Sequence, residues 1–279
     1  MNRSHRTASP PLVLVFAASD PSCGAGMQAD LLTLASMGCH PLSVLTALTV
    51  QDTVGVYKIS AVDTDWVAEQ AHALLKDMTV AAFKIGLLGS VDQVTVIAEL
   101  LTALPTLPVV VDPVLASGRG DMMVDEPMIS AIRERLLPLT TVLTPNTIEA
   151  RRLAAGHASE TADLTLTECS QQLLDLGCEY VLLTGTHHET PQVINELYRR
   201  GHGRVRADHW PRLSGSYHGS GCTLASAVAA CLAQGQPVEV AVQTAQRYTW
   251  KSLDAAFRPG KGQFIPDRLF GRRPWHDDA

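Results

Sequence analysis

The chain has 279 residues, of which 46% are hydrophobic and 18% charged, so a packed core is expected and disorder is excluded. Its 28 acidic and 22 basic residues give a net charge of −6, which disfavours the broad positive surface of non-specific nucleic-acid binding. No apolar run approaches the ~18 residues of a membrane span, and residues 12–18 are too few for a signal peptide. A cytoplasmic protein is therefore expected, and its six cysteines, which form no C-x-x-C pair, are expected to be free thiols.

Short apolar runs alternate with amphipathic segments along most of the chain. The runs predicted as strands are Val13–Ala18, Ser43–Val50, Ala81–Leu88, Val109–Leu115, Thr141–Thr144 and Tyr180–Thr184. The helices predicted between them are Gln28–Met37, residues 65–77 behind Thr64 as N-cap, one that starts after Asp125, and one from residues 165–167 to Gly177. This alternation is typical of a doubly wound α/β fold, a single mostly parallel sheet with helices on both faces.

The organisation predicted from these elements is one domain over residues 12–270. No linker, low-complexity tract or internal repeat interrupts it. Residues Val193–Leu213 are predicted to form a hairpin, because glycines separate two β-prone arms. Residues 1–11 and 271–279 are expected to be irregular, as is the Pro- and Gly-rich chain after Arg258.

The first predicted strand runs into a loop, residues 18–26, that contains Ala18, Asp20, Gly24 and Gly26 and leads into a helix. Loops at the carboxyl ends of strands are where open α/β sheets bind ligands. The loop lacks G-x-G-x-x-G, and the chain lacks G-x-x-x-x-G-K-[ST], so a nicotinamide dehydrogenase is disfavoured and a P-loop ATPase is excluded. The alternative interpretation is a simple tight turn from strand to helix.

Polar residues also follow two later predicted strands. Asn146 and Glu149 have the spacing of a helix-capping box, and the same pair suits a hydrated Mg²⁺ beside nucleotide phosphates. Asp112 offers a further carboxylate at the same edge of the sheet. Each feature is weak alone, and their coincidence at strand ends predicts a site.

The strongest local pattern is Gly219-Ser220-Gly221-Cys222, which stands directly before a helix of small residues. A glycine-rich turn at a helix N-terminus directs free N–H groups at one point, where the helix dipole favours an anion such as a phosphoryl group. Cys222 at this position is expected to have a lowered thiol pKa and to accept a proton from an alcohol that is being phosphorylated. The alternative is a tight turn with a buried cysteine.

Taken together, the motifs resemble those of the hydroxymethylpyrimidine kinases of thiamine biosynthesis, in the ribokinase-like superfamily. They are, in order, S-D-P-S-C-G-A-G-M-Q-A-D, T-V-Q-D-T, K-I-G-L-L, D-P-V, T-P-N-T-I-E-A and H-G-S-G-C-T, and the resemblance extends from about Leu12 to Phe270. It implies phosphorylation of 4-amino-5-hydroxymethyl-2-methylpyrimidine with ATP and Mg²⁺. Many family members also phosphorylate the monophosphate.

The resemblance also implies roles for single residues. Cys222 would be the catalytic base and Gly219, Ser220 and Gly221 the anion hole. Substrate would be bound by Gln51, Asp30, Ala18 and Asp20, with Gln51 on the aminopyrimidine. The phosphates of ATP would be bound by Asn146, Glu149, Thr184 and Gly185, and Mg²⁺ by Asp112 and Glu149. Thr46–Ile59 would form a small strand cover over the substrate, and a homodimer is expected.

The chain departs from the family pattern at two places. Ala18 and Cys23 stand where relatives usually have glycine, and Thr184 stands where many relatives that make both phosphorylations have lysine. Candidates for the missing charge are His187, His188, Arg151 and Arg152. The second phosphorylation therefore stays open, and so do two alternatives: a pyridoxal or pyridoxine kinase, and a non-catalytic sensor of the pyrimidine.

Overall fold

The computed structural model describes residues 9–116, 123–155, 164–185 and 191–271. The strands in these ranges are β1 (Leu12–Ser19), β2 (His40–Gln51), β3 (Val56–Ala61), β4 (Ala82–Ile85), β5 (Val109–Val111), β6 (Val142–Leu143), β7 (Tyr180–Leu183), β8 (Gln192–Arg199) and β9 (Gly203–Pro211). The α-helices are α1 (Gly26–Ser36), α2 (Thr64–Asp77), α3 (Val91–Thr102), α4 (Glu126–Ala131), α5 (Thr147–Ala155), α6 (Leu166–Asp175), α7 (Ser220–Ala233) and α8 (Val238–Asp254). A π-turn and a 3-10 turn extend α4 to Leu139.

These strands form one sheet in the order β3-β2-β1-β4-β5-β6-β7-β8-β9. Within this order, the six neighbouring strands β2-β1-β4-β5-β6-β7 are parallel. Strand β3 at one edge and the β8–β9 hairpin at the other add antiparallel strands. The strand order reverses at β1, because β2 lies on one side of β1 and β4 on the other. Loops diverge at such a switch point and leave a crevice at the carboxyl ends of the strands. The predicted doubly wound, mostly parallel α/β fold is confirmed.

Helices cover both faces of the sheet and create two apolar cores. Leu14 and Phe16 of β1 pack in the core with residues of α2 to α6, whereas Val13 and Val15 pack in the core with α1, α7 and α8. Successive side chains of a strand point to opposite faces, so a strand covered on both sides is apolar throughout. No helix among the described residues is long and apolar enough to cross a membrane.

The predicted elements agree with the structure in type and differ at some ends. The hairpin at Val193–Leu213 is confirmed as β8–β9. The N-cap of α2 was predicted wrongly: the side chain of Asp63, not of Thr64, accepts the Asp65 N–H. Strand β3 was expected only in part, within the strand cover at Thr46–Ile59, and helices α3 and α8 were not among the predicted elements. The described part of the C-terminal segment is irregular but packed, since Phe264 pairs with Tyr217 and Arg268 is buried.

Candidate active site

A pocket lies at the carboxyl ends of β1, β2 and β4, where the strand order reverses. Its polar lining consists of Thr49, Gln51, Lys84, His218 and Cys222. The remaining lining is apolar or small and includes Ala18, Gly26, Val56, Leu87 and Met123. The fold therefore brings Ala18, Gln51 and Cys222 together, as the resemblance implied, although they come from three distant parts of the sequence.

The predicted anion hole is the N-terminus of α7. Gly219 is the N-cap residue and has φ of +75°, in the left-handed region that favours glycine. A Cβ on Gly219 would overlap the carbonyl oxygen of Gly24. The first N–H groups of α7, those of Ser220, Gly221 and Cys222, have no partner within the helix. This turn therefore presents donors and a positive helix end beside the Cys222 thiol, an arrangement suited to a phosphoryl group.

The loop after β1 is fixed to the anion-hole turn by a buried carboxylate. Asp20 is fully buried and accepts hydrogen bonds from the N–H groups of Ser22 and Ala25, and its Oδ2 lies 2.8 Å from Nε2 of His218. Burial alone would raise the pKa of Asp20, but these hydrogen bonds, with His218 foremost, lower it below its usual value. Asp20 does not line the pocket and holds His218 and the loop, while its contact with substrate stays a prediction.

A second connection between the same two loops comes from the C-terminal segment. The guanidinium of Arg268 donates to the carbonyl oxygens of Gly24 (2.5 Å), Cys23 (3.3 Å) and Gly219 (3.5 Å), and to Oγ1 of Thr223 (3.0 Å). Arg268 is 2% exposed. Its five donors in a rigid planar fork explain how one side chain bridges several carbonyls.

The electrostatics at Cys222 contradict the sequence-based expectation of a lowered thiol pKa. Burial and the negative charge of Asp112 raise the pKa of Cys222, and these effects outweigh Lys84 and the Gly26 N–H, which donates to the sulfur. The thiol in turn donates to the carboxylate of Asp112. The helix N-terminus alone does not produce a thiolate here; the neighbouring charges decide the protonation state.

Lys84 at the end of β4 is the buried cation of the site. Its Nζ lies 2.8 Å from Oδ2 of Asp30 and 3.8 Å from Oδ2 of Asp112, and its side chain is fully buried. Burial alone would lower the pKa of Lys84, but the surrounding negative charges, with Asp30 foremost, raise it, so the ammonium form is retained. A Cβ on Gly86 would lie 2.8 Å from this Nζ, so the glycine leaves room for the ammonium group.

Asp30 is the anchor of Lys84. It is fully buried on α1, it accepts a 2.7 Å hydrogen bond from Oγ of Ser226 on α7, and it does not line the pocket. Asp30 therefore acts on the pocket through Lys84, which does line it, and a direct contact of Asp30 with substrate stays a prediction.

Asn146 and Glu149 form the capping box at the start of α5. The side chain of Asn146 accepts the N–H groups of Ile148 and Glu149, and Glu149 Oε2 accepts the Asn146 N–H at 2.9 Å. Glu149 is buried as well, and burial together with the charge of Asp112 raises its pKa to about 8. Two carboxyl groups thus share one buried corner of the site.

The corner has the features of a cation site. Oδ2 of Asp112 is buried without a hydrogen-bond partner, although Lys84 lies near it. Mg²⁺ is commonly bound by one or two carboxylates together with water and substrate phosphates. Asp112 and Glu149 supply that donor set, whereas no cluster of three or more ligating side chains occurs among the described residues. The residues present therefore fit a magnesium ion shared with a nucleotide.

The end of β7 offers less to a phosphate than the sequence implied. The Gly185 N–H donates to Oδ1 of Asn195, and a Cβ there would overlap the Ile194 carbonyl oxygen, so this glycine serves close packing. Thr184 pairs with Asn146, which places its hydroxyl near the start of α5 without a charge.

The two arginine candidates for the missing lysine charge are engaged elsewhere. Arg151 donates to the carbonyl oxygen of Leu164, and Arg152 pairs with Glu126. His187 and His188 lie outside the described residues.

Sequence analysis assigned no role to Lys84, His218 or Arg268. The first two stand inside recognised motifs, K-I-G-L-L and H-G-S-G-C-T, and a charged or titratable residue within a motif was a usable signal. No local signal marked Arg268, because its side-chain partners lie between 45 and 245 residues earlier in the chain.

The chain is similar to known proteins over most of its length. The family model described as phosphomethylpyrimidine kinase matches residues 20–267. A curated hydroxymethylpyrimidine/phosphomethylpyrimidine kinase from Streptomyces coelicolor is 40% identical over 258 residues, which cover 91% of this chain and 93% of the relative.

Solved structures agree with that family and add a neighbouring one. A phosphomethylpyrimidine kinase from Clostridium difficile matches with a TM-score of 0.72 and 29% identity, over 87% of this chain and 99% of the other. A pyridoxal kinase from Bacillus subtilis, solved as an ADP complex, matches with a TM-score of 0.83 and 28% identity, over 93% and 98% of the two chains. The fold is thus the ribokinase-like fold, and the extent of the sequence match shows that this chain belongs to the phosphomethylpyrimidine kinase family of phosphotransferases.

Proposed function

We propose that this enzyme transfers the γ-phosphoryl group of ATP to the hydroxymethyl group of 4-amino-5-hydroxymethyl-2-methylpyrimidine, in thiamine biosynthesis or salvage. The observation that supports this most directly is the pocket itself, in which Gln51 and Cys222 face one small cavity beside the N-terminus of α7. An amide that can donate and accept suits the aminopyrimidine edge, and the thiol lies where the hydroxymethyl group and the phosphoryl group meet.

In the proposed reaction, the substrate hydroxyl attacks the γ-phosphorus, its proton passes to Cys222, and ADP leaves. The N–H groups of Ser220, Gly221 and Cys222 stabilise the negative charge of the phosphoryl oxygens during transfer. Positioning and charge stabilisation account for most of the catalysis in such reactions, which agrees with a site built largely from backbone donors.

The protonation state of Cys222 depends on its charged neighbours. The charge of Asp112 holds the proton on the thiol, and Lys84 opposes it. Asp112 and Glu149 would hold Mg²⁺, which would supply positive charge to the phosphates. Among this chain's own residues, Lys84 carries a charge that favours the Cys222 thiolate that takes the hydroxyl proton.

The proposed assembly is a homodimer formed through the β2–β3 edge. Leu48, Val50 and Tyr57 on these strands are 54%, 57% and 62% exposed, an unusual density of large apolar side chains for a free surface. Light scattering on the purified protein tests this proposal. We also propose that the enzyme works in the cytoplasm, where its six free cysteines would stay reduced.

Product analysis tests the proposed function. The purified enzyme is incubated with ATP, Mg²⁺ and either hydroxymethylpyrimidine or pyridoxal, and products are followed by mass spectrometry over time. We expect pyrimidine monophosphate to form first. Accumulation of the diphosphate would show that Thr184 does not block the second step, whereas a stop at the monophosphate would assign the limit to that position.

The alternatives have their own outcomes in the same assay. Turnover of pyridoxal alone would replace the proposed substrate with that of the pyridoxal kinases that the structure resembles. Pyrimidine binding without turnover would support a sensor. As a check on the ring contact, Gln51→Ala should raise the KM for the pyrimidine and leave the KM for ATP nearly unchanged.

A further inference from the structure

The side chain of Gln51 is held in one orientation by a short chain of hydrogen bonds. Oγ1 of Thr49 lies 2.8 Å from the backbone carbonyl oxygen of Ser19. A carbonyl only accepts, so the Thr49 hydroxyl must donate its single proton to Ser19. Thr49 then has only lone pairs left for Gln51, 2.7 Å away, and the group of Gln51 that faces it must be the Nε2 donor.

The other end of the Gln51 amide is therefore fixed as well. Both Thr49 and Gln51 line the pocket. Within the part of the chain that the structure describes, Oε1 of Gln51 has no hydrogen-bond partner. The acceptor that Gln51 offers to the pocket is thus fixed at Oε1, and only the second N–H of Nε2 is left as a donor.

The backbone around these residues is shaped to hold this orientation. The pairing of β1 with β2 shifts register between Ala17 and Ser19, and the pairing of β2 with β3 shifts between Val50 and Gln51. Such bulges redirect side chains and occur often beside binding sites. Here one shift lies just before Thr49 on β2, opposite Ala17 and Ser19, and the other lies between Thr49 and Gln51.

The carbonyl that receives the Thr49 proton is itself fixed. Ser19 Oγ accepts a 2.8 Å hydrogen bond from Nε2 of Gln28, and Oε1 of Gln28 accepts the Asp20 N–H at 2.8 Å. Gln28 thereby holds two successive residues at the end of β1. The chain of bonds runs from α1 through β1 to Gln51 without an ambiguous donor.

We propose that Thr49 is a specificity-determining positioning residue, which orients Gln51 so that the pocket accepts a ring with an exocyclic amino donor and rejects one with a carbonyl acceptor there. This inference rests on the proposed function and names the feature of the substrate that the site reads. A ring amino group donates to Oε1 of Gln51. A ring oxygen at the same place, in the 4-oxo analogue of the pyrimidine, would face Oε1 with two acceptors and no proton between them.

The test compares two substrates in four proteins. The substrates are the 4-amino pyrimidine and its 4-oxo analogue, and the proteins are the wild type, Thr49→Val, Thr49→Ser and Thr46→Val. Thr49→Val keeps the shape of the side chain but removes its hydroxyl, so the side-chain amide of Gln51 is free to flip by 180°. Thr46→Val is the matched control, because Thr46 lies on the same strand and its hydroxyl donates to the carbonyl oxygen of Leu87 without reaching Gln51.

The expected readout is the ratio of kcat/KM for the two substrates. In Thr49→Val the preference for the amino substrate over the oxo analogue should fall about 10-fold, which is the effect of one neutral hydrogen bond and its mispairing. The KM for ATP should stay unchanged. Thr49→Ser and Thr46→Val should keep the wild-type ratio even if their stability changes. A role of Thr49 in stability alone would lower both rates equally and leave the ratio unchanged.

An unchanged ratio in Thr49→Val, in an enzyme that phosphorylates the aminopyrimidine, would overturn the inference and leave the proposed function intact. Failure of the wild type to phosphorylate either pyrimidine would overturn the proposed function itself. A wild type that prefers the oxo analogue would overturn the assigned orientation of Gln51.

Discussion

Two helices of this protein begin with the same capping device and use it for different purposes. At α5, Asn146 and Glu149 exchange side-chain and backbone hydrogen bonds, and at α6, Thr165 and Glu168 do the same. Glu168 is exposed, and its hydrogen bonds from Thr165 lower its pKa. Glu149 is buried near Asp112, and its pKa rises to about 8. The same local sequence rule thus gives a helix start in one place and an element of the candidate site in the other.

The physical difference is the position of the helix in the sheet. Helix α5 starts at the carboxyl edge, directly after β6, where Asp112 follows the neighbouring β5. The residues that cap α6, Thr165 and Glu168, are exposed to solvent. Comparison of the two motifs therefore separates what capping contributes from what the site contributes.

The largest expected effect is on the pH dependence of stability. The pKa of Glu149 is about 8 in the folded protein and near its ordinary value of 4.5 in the unfolded chain. Between these pH values Glu149 is protonated in the folded state and ionised in the unfolded state. Its contribution to the free energy of unfolding is therefore fully present below pH 4.5 and is lost as the pH rises towards 8. Urea unfolding without divalent ions should show that the wild type loses on the order of a few kcal/mol over this range relative to Glu149→Gln.

Glu168→Gln is the matched control for this measurement. The pKa of Glu168 is lowered, so its contribution has the opposite sign: it is present above pH 4.5 and is lost as the pH falls through the folded pKa. Equal pH profiles for Glu149→Gln and the wild type would contradict the burial of charge at Glu149.

The next effect in size is on catalysis. Glutamine keeps the capping geometry at either position but removes the charge. Glu149→Gln should raise the Mg²⁺ concentration needed for half-maximal turnover about 10-fold or more, because a carboxylate beside Asp112 is lost. Glu168→Gln should stay within about 2-fold of the wild type, since the exposed motif has no such neighbour. Equal Mg²⁺ requirements in the two variants would remove Glu149 from the proposed cation site.

The smallest effect is the capping contribution itself. Asn146→Ala and Thr165→Ala each remove the side chain that accepts helix N–H groups, so each should lower the free energy of unfolding by about 1 kcal/mol. The two losses should be similar, and only Asn146→Ala should also raise the KM for ATP. A purely structural cap at Asn146 would leave that KM unchanged.

The comparison also shows how far sequence patterns lead. The hydrophobic periodicity, the helix caps and the turn residues of the sequence predicted β1, α6 and the β8–β9 hairpin, because these elements depend on neighbours within a few residues. The glycine-rich turn at Gly219 was predicted for the same reason. Local spacing identified both capping boxes but could not say which one is buried at the site.

What sequence reasoning missed depends on long-range contacts. Lys84 meets Asp30 across 54 positions, and Arg268 meets Gly24 across 244. The expected lowering of the Cys222 thiol pKa was wrong for a related reason: the helix N-terminus was visible in the sequence, but the buried charge of Asp112 was not.

The central claim is that phosphoryl transfer takes place at the N-terminus of α7 with Cys222 beside the acceptor hydroxyl. The most direct measurement is the turnover of Cys222→Ser at saturating ATP, Mg²⁺ and pyrimidine, together with ATP binding by calorimetry. Cys23→Ser, which replaces an exposed thiol outside the pocket lining, is the control and should stay within about 2-fold of the wild type. The account predicts that Cys222→Ser binds ATP as the wild type does and loses turnover about 100-fold or more, since a serine hydroxyl is a far poorer base than a thiolate. Turnover of Cys222→Ser equal to that of Cys23→Ser would contradict it.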